Sequence, residues 1–127
     1  MQNLTSNIWW TLAGINGAIA VAAGAYGSHG IQKRVSDQKR IDMFKTASHY
    51  QLLHSIVLLM VPFSNAPNQI GSLFTAGVSL FSFSIYFIVL GDLKKLSKLT
   101  PIGGLLMIAG WAYLGLSNLN TNLLKFN

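Results

Sequence analysis

The positions of the charged residues constrain this chain more than any other feature of its sequence. It has nine lysines and arginines and three aspartates, yet no charged residue occurs from 1 to 32 or from 46 to 91. Eight of the basic residues lie in two short clusters, 33–45 and 94–98, each between long apolar stretches. This pattern is typical of a membrane protein that crosses the bilayer several times, with basic loops on the cytoplasmic side.

Composition supports a membrane location and excludes several function classes. Charged residues make up 9% of the chain, against about 25% in soluble proteins. The net charge of +6 lies in juxtamembrane loops, so we expect membrane lipid, other membrane proteins or a second copy of the chain as partners, and no nucleic acid. The absence of cysteine excludes disulfides, thiolate zinc sites and iron–sulfur clusters. We predict an all-α integral membrane four-helix bundle in a bacterial inner (plasma) membrane.

The apolar segments divide the chain into four spans within a single domain, 1–127. We place the spans at about 8–28, 44–63, 70–90 and 101–119, because a helix needs about 20 apolar residues to cross. The second span is continuously apolar only from 50 to 63. We therefore predict one long helix capped by Ser36, whose amphipathic first turns lie among the headgroups. For the fourth span we predict Thr100 as the N-cap, and the tail 118–127 is expected to be poorly ordered.

Loop charge predicts the orientation of the spans. The first loop carries five basic residues and the third carries three, whereas the second loop carries none. Basic loops remain inside, so both termini are predicted to face outward.

Small residues in the first and fourth spans predict close contacts between helices. Spacings such as Ala13/Gly17 and Ala20/Gly24 place small side chains on one stripe, where another helix can approach closely. The glycines that we predict to serve helix packing are Gly17, Gly24, Gly27, Gly103, Gly104 and Gly110.

Few polar side chains in the spans could carry chemistry. Asn16 lies in mid-span and must face the bundle, so we expect it to hydrogen-bond another helix, with a hydroxyl of the third span as the partner. Ser28 and His29 are neighbours on a helix and do not face each other, so we predict no catalytic residue and no enzyme activity. The three aspartates lie in loops, which argues against a proton-coupled transporter or channel.

The histidines leave two interpretations open. His29, His49 and His54 all lie on the basic side of the predicted topology, and Tyr50 and His54 share a helix face. Histidines from two helices could ligate haem or a metal, or they could hydrogen-bond neighbouring helices. Neither a four-residue His spacing nor an HExxH motif is present, so we predict no metal and no cofactor.

Four segments in this order and spacing resemble a known family. They are Gly24–Gly30, Tyr50–His54, Leu80–Tyr86, and Thr100–Gly104 followed by Ala109–Trp111. The chain resembles the YgdD/YwdK-like family of small four-helix membrane proteins of uncharacterised function, whose eukaryotic relatives are mitochondrial. The resemblance implies a four-span membrane protein and implies no activity. Two residues depart from it: Phe83 stands where we expect a smaller residue, and Ser28 stands where we expect an alanine. The motif positions are Gly24, Gly27, His29, Tyr50, Gln51, His54, Ser82, Ser84, Tyr86, Pro101, Gly103, Gly104, Gly110 and Trp111.

These motif positions cluster towards the basic side of the bundle. The candidate ligand cluster on this side comprises His29, Tyr50, Gln51 and His54. The leading hypothesis is an accessory or scaffold protein that acts through helix–helix and lipid contacts. The alternative is a binding protein for a quinone, haem or lipid headgroup at this cluster.

Overall fold

The computed structural model describes residues 4–123, with side chains described from Ile8 to Leu119. Four helices fill this range, and no strand occurs within it: α1 (Leu4–His29), α2 (Gln38–Met60), α3 (Pro67–Gly91) and α4 (Leu99–Leu123). Short 3₁₀ turns at Ile31–Lys33, Val61–Phe63 and Lys94–Lys98 connect them. The predicted all-α four-helix architecture is confirmed.

The second helix begins one residue later than the sequence suggested. Asp37, not Ser36, is its N-cap, and the Asp37 carboxylate accepts a hydrogen bond of 2.9 Å from the backbone N–H of Lys39. The carboxylate is a better cap than a hydroxyl here because its charge also interacts favourably with the positive end of the helix dipole. The single long helix predicted for this segment is confirmed.

The fourth helix begins earlier than predicted. It starts at Leu99, so Thr100 lies within the first turn rather than at the N-cap. The Thr100 hydroxyl instead lies 2.6 Å from the Ser84 hydroxyl of α3. At its other end α4 continues to Leu123, and residues 124–127 of the tail lie outside the described residues.

Within the described part of the chain, three helices are long and apolar enough to cross a membrane. They correspond to Ile8–His29, Pro67–Gly91 and Lys94–Leu119. The second helix does not reach the same hydropathy, since its first turns carry the charged residues of the basic loop. Nevertheless α2 runs antiparallel to α1 along its length: contacts extend from Phe44 beside Gly27 to the Leu59 carbonyl, which accepts a hydrogen bond from Trp10 Nε1.

The helices pack as antiparallel neighbours in chain order, with α2 against both α1 and α3, and α3 against both α2 and α4. We call the end that carries the loops 30–37 and 92–98 the basic end. One buried cluster lies towards that end and contains Ile31, Val35, Ile41, Phe44, Ala47, Ile85, Tyr86 and Val89. A second buried cluster lies towards the opposite end and contains Trp9, Ala13, Leu58, Val61, Ile70 and Phe74.

Candidate functional site

Three buried polar side chains form a hydrogen-bonded chain across three helices. Gln51 of α2 has no exposed surface, and its Nε2 donates to Asn16 Oδ1 of α1 at 3.2 Å. The Tyr86 hydroxyl of α3 donates to Gln51 Oε1 at 2.8 Å. Burying these groups without partners would cost several kcal/mol. Each of them finds its partner on a neighbouring helix. We call this hydrogen-bonded chain the Asn16–Gln51–Tyr86 relay.

A backbone carbonyl sets the direction of every bond in the relay. Asn16 Nδ2 donates to the carbonyl of Leu12 at 3.0 Å, and a carbonyl can only accept. Asn16 Oδ1 is therefore the acceptor for Gln51 Nε2, which leaves Gln51 Oε1 to accept from Tyr86. Both amide orientations follow from this anchor.

The predicted partner of Asn16 was wrong. The residue makes the expected interhelical bond, but to Gln51 of α2 and not to a hydroxyl of α3. The reason is the antiparallel pairing of α1 with α2, which places Gln51 beside Asn16. Of the α3 hydroxyls, that of Ser82 donates elsewhere, to the carbonyl of Ala47 at 2.8 Å.

The His54 side chain is held at both ring nitrogens. Nδ1 lies 2.8 Å from the Tyr50 carbonyl oxygen, and Nε2 lies 3.2 Å from Trp111 Nε1. Because the carbonyl accepts and the indole N–H donates, His54 carries its proton on Nδ1 and is neutral. The ring thus joins α2 to α4, and neither nitrogen has a lone pair left for a metal.

A groove lies beside this contact, between α2, α3 and α4. Its cavity has a volume of about 300 Å³. The Tyr50 side chain lines the groove and is 41% exposed. Its ring stacks on that of His54, with 6.0 Å between the ring centroids and 13° between the planes. The lining residues are Thr46, Tyr50, His54, Phe81, Gly104, Met107, Ile108 and Trp111.

The structure brings only part of the candidate ligand cluster together. Tyr50 and His54 share the groove, but Gln51 contacts α1 and α3 through the relay. His29 is exposed at the end of α1 and is not among the groove residues. Among the described residues no group of three or more His, Asp or Glu side chains could hold a metal ion.

Sequence reasoning identified Asn16, Tyr86 and Trp111 separately but did not connect them to this site. The available signal was the need of each buried amide or hydroxyl in a membrane for a partner.

The backbones of α3 and α4 approach each other closely at Gly103. A Cβ added to Gly103 would lie 2.4 Å from the backbone nitrogen of Phe81 and 2.6 Å from the carbonyl oxygen of Gly77. The contact is reciprocal, since a Cβ on Gly77 would lie 2.8 Å from the backbone nitrogen of Met107. Gly77 was not singled out from the sequence.

The other predicted packing glycines have different surroundings. A Cβ on Gly110 would meet the Phe74 ring at 2.9 Å and one on Gly27 the Phe44 ring at 3.1 Å. Gly17 and Gly24 face serine side chains at ordinary contact distances of 3.4 and 3.7 Å. A Cβ on Gly104 would meet nothing within 4 Å, because this glycine faces the groove.

Arg40 fastens α2 to the end of α3 at the basic end of the bundle. Its Nη2 donates to the carbonyls of Ile88 and Val89 at 3.0 and 2.8 Å. Asp92, the left-handed C-cap of α3 with φ of 53°, lies 3.4 Å from the same nitrogen. A cation at this point satisfies helix carbonyls that have no partner within the helix and interacts favourably with the negative end of the dipole.

Comparison with known proteins places this fold in a family. Residues 23–104 match the family described as "Protein of unknown function (DUF423)". The chain belongs to the DUF423 family. The matched range contains the relay residues Gln51 and Tyr86 as well as His54, and it ends before Trp111.

Relatives of this DUF423 chain occur in a yeast and in bacteria. It is 40% identical over 111 residues to a "UPF0382 membrane protein" of Schizosaccharomyces pombe, covering 81% of this chain and 94% of that protein. A protein of the same description from Staphylococcus aureus is 38% identical over 108 residues, covering 81% and 88%. One from Staphylococcus epidermidis is 35% identical over 113 residues, covering 85% and 92%. No solved structure matches. The chain is thus a helical membrane protein of an uncharacterised family.

Proposed function

We propose that this DUF423 protein is an accessory or scaffold protein of a bacterial plasma membrane, acting through helix–helix and lipid contacts. The observation that carries the proposal is the outer face of α4. This helix packs on α3 through Gly103, Met107 and Gly110, and its opposite side presents exposed apolar side chains. These include Ile102, Leu105, Ile108, Leu116 and Leu119.

The internal hydrogen bonds also support a role without catalysis. Asn16, Gln51, Tyr86 and His54 use their polar atoms to join helices. Side chains committed in this way stabilise one arrangement of the bundle and offer few free groups to a substrate. The bundle is then a fixed support whose free apolar faces meet lipid or another membrane helix.

Localisation in a bacterial plasma membrane is supported by the staphylococcal relatives and by the two basic loops. We further propose that α2 crosses the bilayer as the fourth span. Its 23 residues rise about 34 Å at ~1.5 Å per residue, which exceeds the ~30 Å hydrocarbon core. Its antiparallel contact with α1 keeps the two helices at the same depth.

The accessory role can be tested by crosslinking in native membranes. A photoreactive side chain placed at Leu105 or Leu116 lies on one stripe of the exposed α4 face, since eleven residues are close to three helical turns. We expect protein adducts of defined mass from both positions. Val21, which is exposed on α1, serves as the control and should give lipid adducts. Lipid adducts alone from Leu105 and Leu116 would contradict a partner at α4.

A second candidate function is favoured by the groove beside Tyr50 and His54. A quinone, haem or lipid headgroup there would make this a binding protein. The engaged nitrogens of His54 favour lipid over haem. A visible spectrum of the detergent-purified protein and a mass spectrum of its lipid extract separate these ligands: we expect phospholipid and no haem absorbance. Stoichiometric haem or quinone would identify the other ligand class.

A further inference from the structure

The groove beside Tyr50 continues along α2 towards the basic end. A second cavity of about 490 Å³ shares Thr46 and Phe81 with the first. Its remaining lining residues are Lys39, Asp42, Met43 and Ile85. The two cavities therefore form one continuous path on the outer surface of the bundle, with charged side chains at one end and aromatic side chains at the other. We call this path the long groove.

The long groove has the length of one lipid leaflet. Lys39 and His54 are fifteen residues apart on a single helix, which corresponds to about 22 Å. Half of a ~30 Å hydrocarbon core is ~15 Å, and the remainder reaches into the headgroup region. A phospholipid acyl chain can thus follow the groove from Thr46 to Trp111 while its headgroup remains beside Lys39.

The rim of the long groove carries both a cation and an anion. Lys39 and Asp42 are three residues apart and share a face of α2. The salt bridge of the described side chains joins Arg40 to Asp92, so neither Lys39 nor Asp42 takes part in it. Asp42 Oδ1 accepts a hydrogen bond of 2.8 Å from Gln38 Nε2, which is a neutral donor.

We propose that the long groove binds one phosphatidylethanolamine molecule. The ammonium of Lys39 pairs with the lipid phosphate, the carboxylate of Asp42 accepts from the primary ammonium of the ethanolamine, and an acyl chain lies against Phe81 and Trp111. Phosphatidylglycerol has no cation to meet Asp42, and the quaternary ammonium of phosphatidylcholine has no N–H to donate to it. This binding rests on the lipid contacts of the proposed function and assigns one lipid to them.

Fluorescence quenching of Trp111 by lipids with brominated chains tests the proposal. The protein is placed in phosphatidylcholine bilayers that contain a small fraction of brominated phosphatidylethanolamine, phosphatidylglycerol or phosphatidylcholine. The signal of a Trp111→Phe variant is subtracted to remove the contribution of Trp9 and Trp10. We expect brominated phosphatidylethanolamine to quench about two- to fivefold more effectively than the other two lipids, the range that exposed ion pairs provide.

Two pairs of variants separate the groove from the headgroup contacts. Gly104→Leu fills the groove, since a Cβ there meets nothing within 4 Å, and it should abolish the preference. Gly115→Leu is the matched control, because Gly115 is equally open and does not line the groove. Asp42→Asn should remove the preference over phosphatidylglycerol. Lys39→Gln should weaken binding of all three lipids alike, because each carries a phosphate.

Equal quenching by all three lipids, or stronger quenching by phosphatidylglycerol, would overturn the proposal. So would a Gly104→Leu protein that behaves like Gly115→Leu. If Gly104→Leu fails to fold, Asp42→Asn still decides, because that side chain is exposed at the basic end. Crosslinking from Leu105 tests the accessory role independently, so failure of one experiment does not imply failure of the other.

Discussion

The hydroxyl of Tyr86 donates a hydrogen bond of 2.8 Å to the side-chain carbonyl of Gln51, which has no exposed surface. This contact joins α3 to α2, and the same glutamine joins α2 to α1 through Asn16. One side chain thus specifies the mutual rotation of three helices. Apolar contacts alone specify it less strictly, because lipid tails are as apolar as the side chains that they would replace.

The Tyr86→Phe variant should be less stable than the wild type by about 1 kcal/mol, because it leaves a buried Gln51 oxygen without its donor. Denaturant unfolding in detergent measures the difference. Tyr113→Phe is the control, since Tyr113 is exposed. Combining Tyr86→Phe with Gln51→Leu should cost less than the sum of the two single changes, which is the signature of a direct contact. Full additivity would show that the relay is not a unit.

Adjacent glycines of α4 should respond in opposite ways to alanine. Gly103→Ala brings a Cβ to 2.4 Å from the Phe81 backbone nitrogen, so the helices must separate, at about 1–3 kcal/mol. Gly104→Ala meets nothing within 4 Å and should stabilise by up to about 1 kcal/mol through helix propensity. Thermal unfolding of both proteins in the same detergent measures the contrast. Equal melting temperatures would mean that the α3–α4 contact is looser than described.

His54→Gln should retain most of the stability that His54→Leu loses. A glutamine amide can both donate and accept, as the neutral imidazole does towards the Tyr50 carbonyl and Trp111. Interhelical hydrogen bonds in membranes average about 0.6 kcal/mol, so the expected differences are small, and unfolding midpoints must be measured in parallel. A glutamine variant as unstable as the leucine variant would argue for a requirement specific to the imidazole.

Arg40→Gln should destabilise the bundle by about 1–2 kcal/mol, because two carbonyls at the end of α3 lose a charged donor. Lys45→Gln on the same helix is the control, since Lys45 is exposed and glutamine keeps part of its aliphatic chain. Urea unfolding in detergent at low and high salt measures both variants. If the two changes have equal effects, Arg40 contributes no more than general loop charge.

Reporter fusions test the fourth span and the orientation of the termini together. A periplasm-active reporter should be active at Asn65, between α2 and α3, and at the C-terminus, and inactive at Gln32 and Ser97. If α2 lay on the surface instead of crossing, Gln32 and Asn65 would give the same result. Activity at Ser97 would reverse the predicted orientation.

The sequence by itself determined the membrane class and the number of helices. Hydropathy and charge are properties of a single segment, so the long second helix could be predicted from the residues that precede Tyr50. Helix ends were less certain: Asp37 displaced Ser36 as N-cap because neighbouring residues compete for the same backbone N–H. The glycine stripes indicated which helix faces carry small residues, but not which helix packs against each face.

Only the tertiary structure decided which groups meet. Asn16 needed a partner under any arrangement, but the rotation of α2 about its axis made Gln51 that partner. The same rotation turned Tyr50 and His54 towards α4 and Gln51 away from them. The candidate cluster is therefore divided between the groove, the core and the exposed end of α1 at His29. The contact of Gly77 with Gly103 likewise depends on the crossing of α3 and α4. A crossing of two helices is a property of two surfaces packed together, and neither segment specifies it alone.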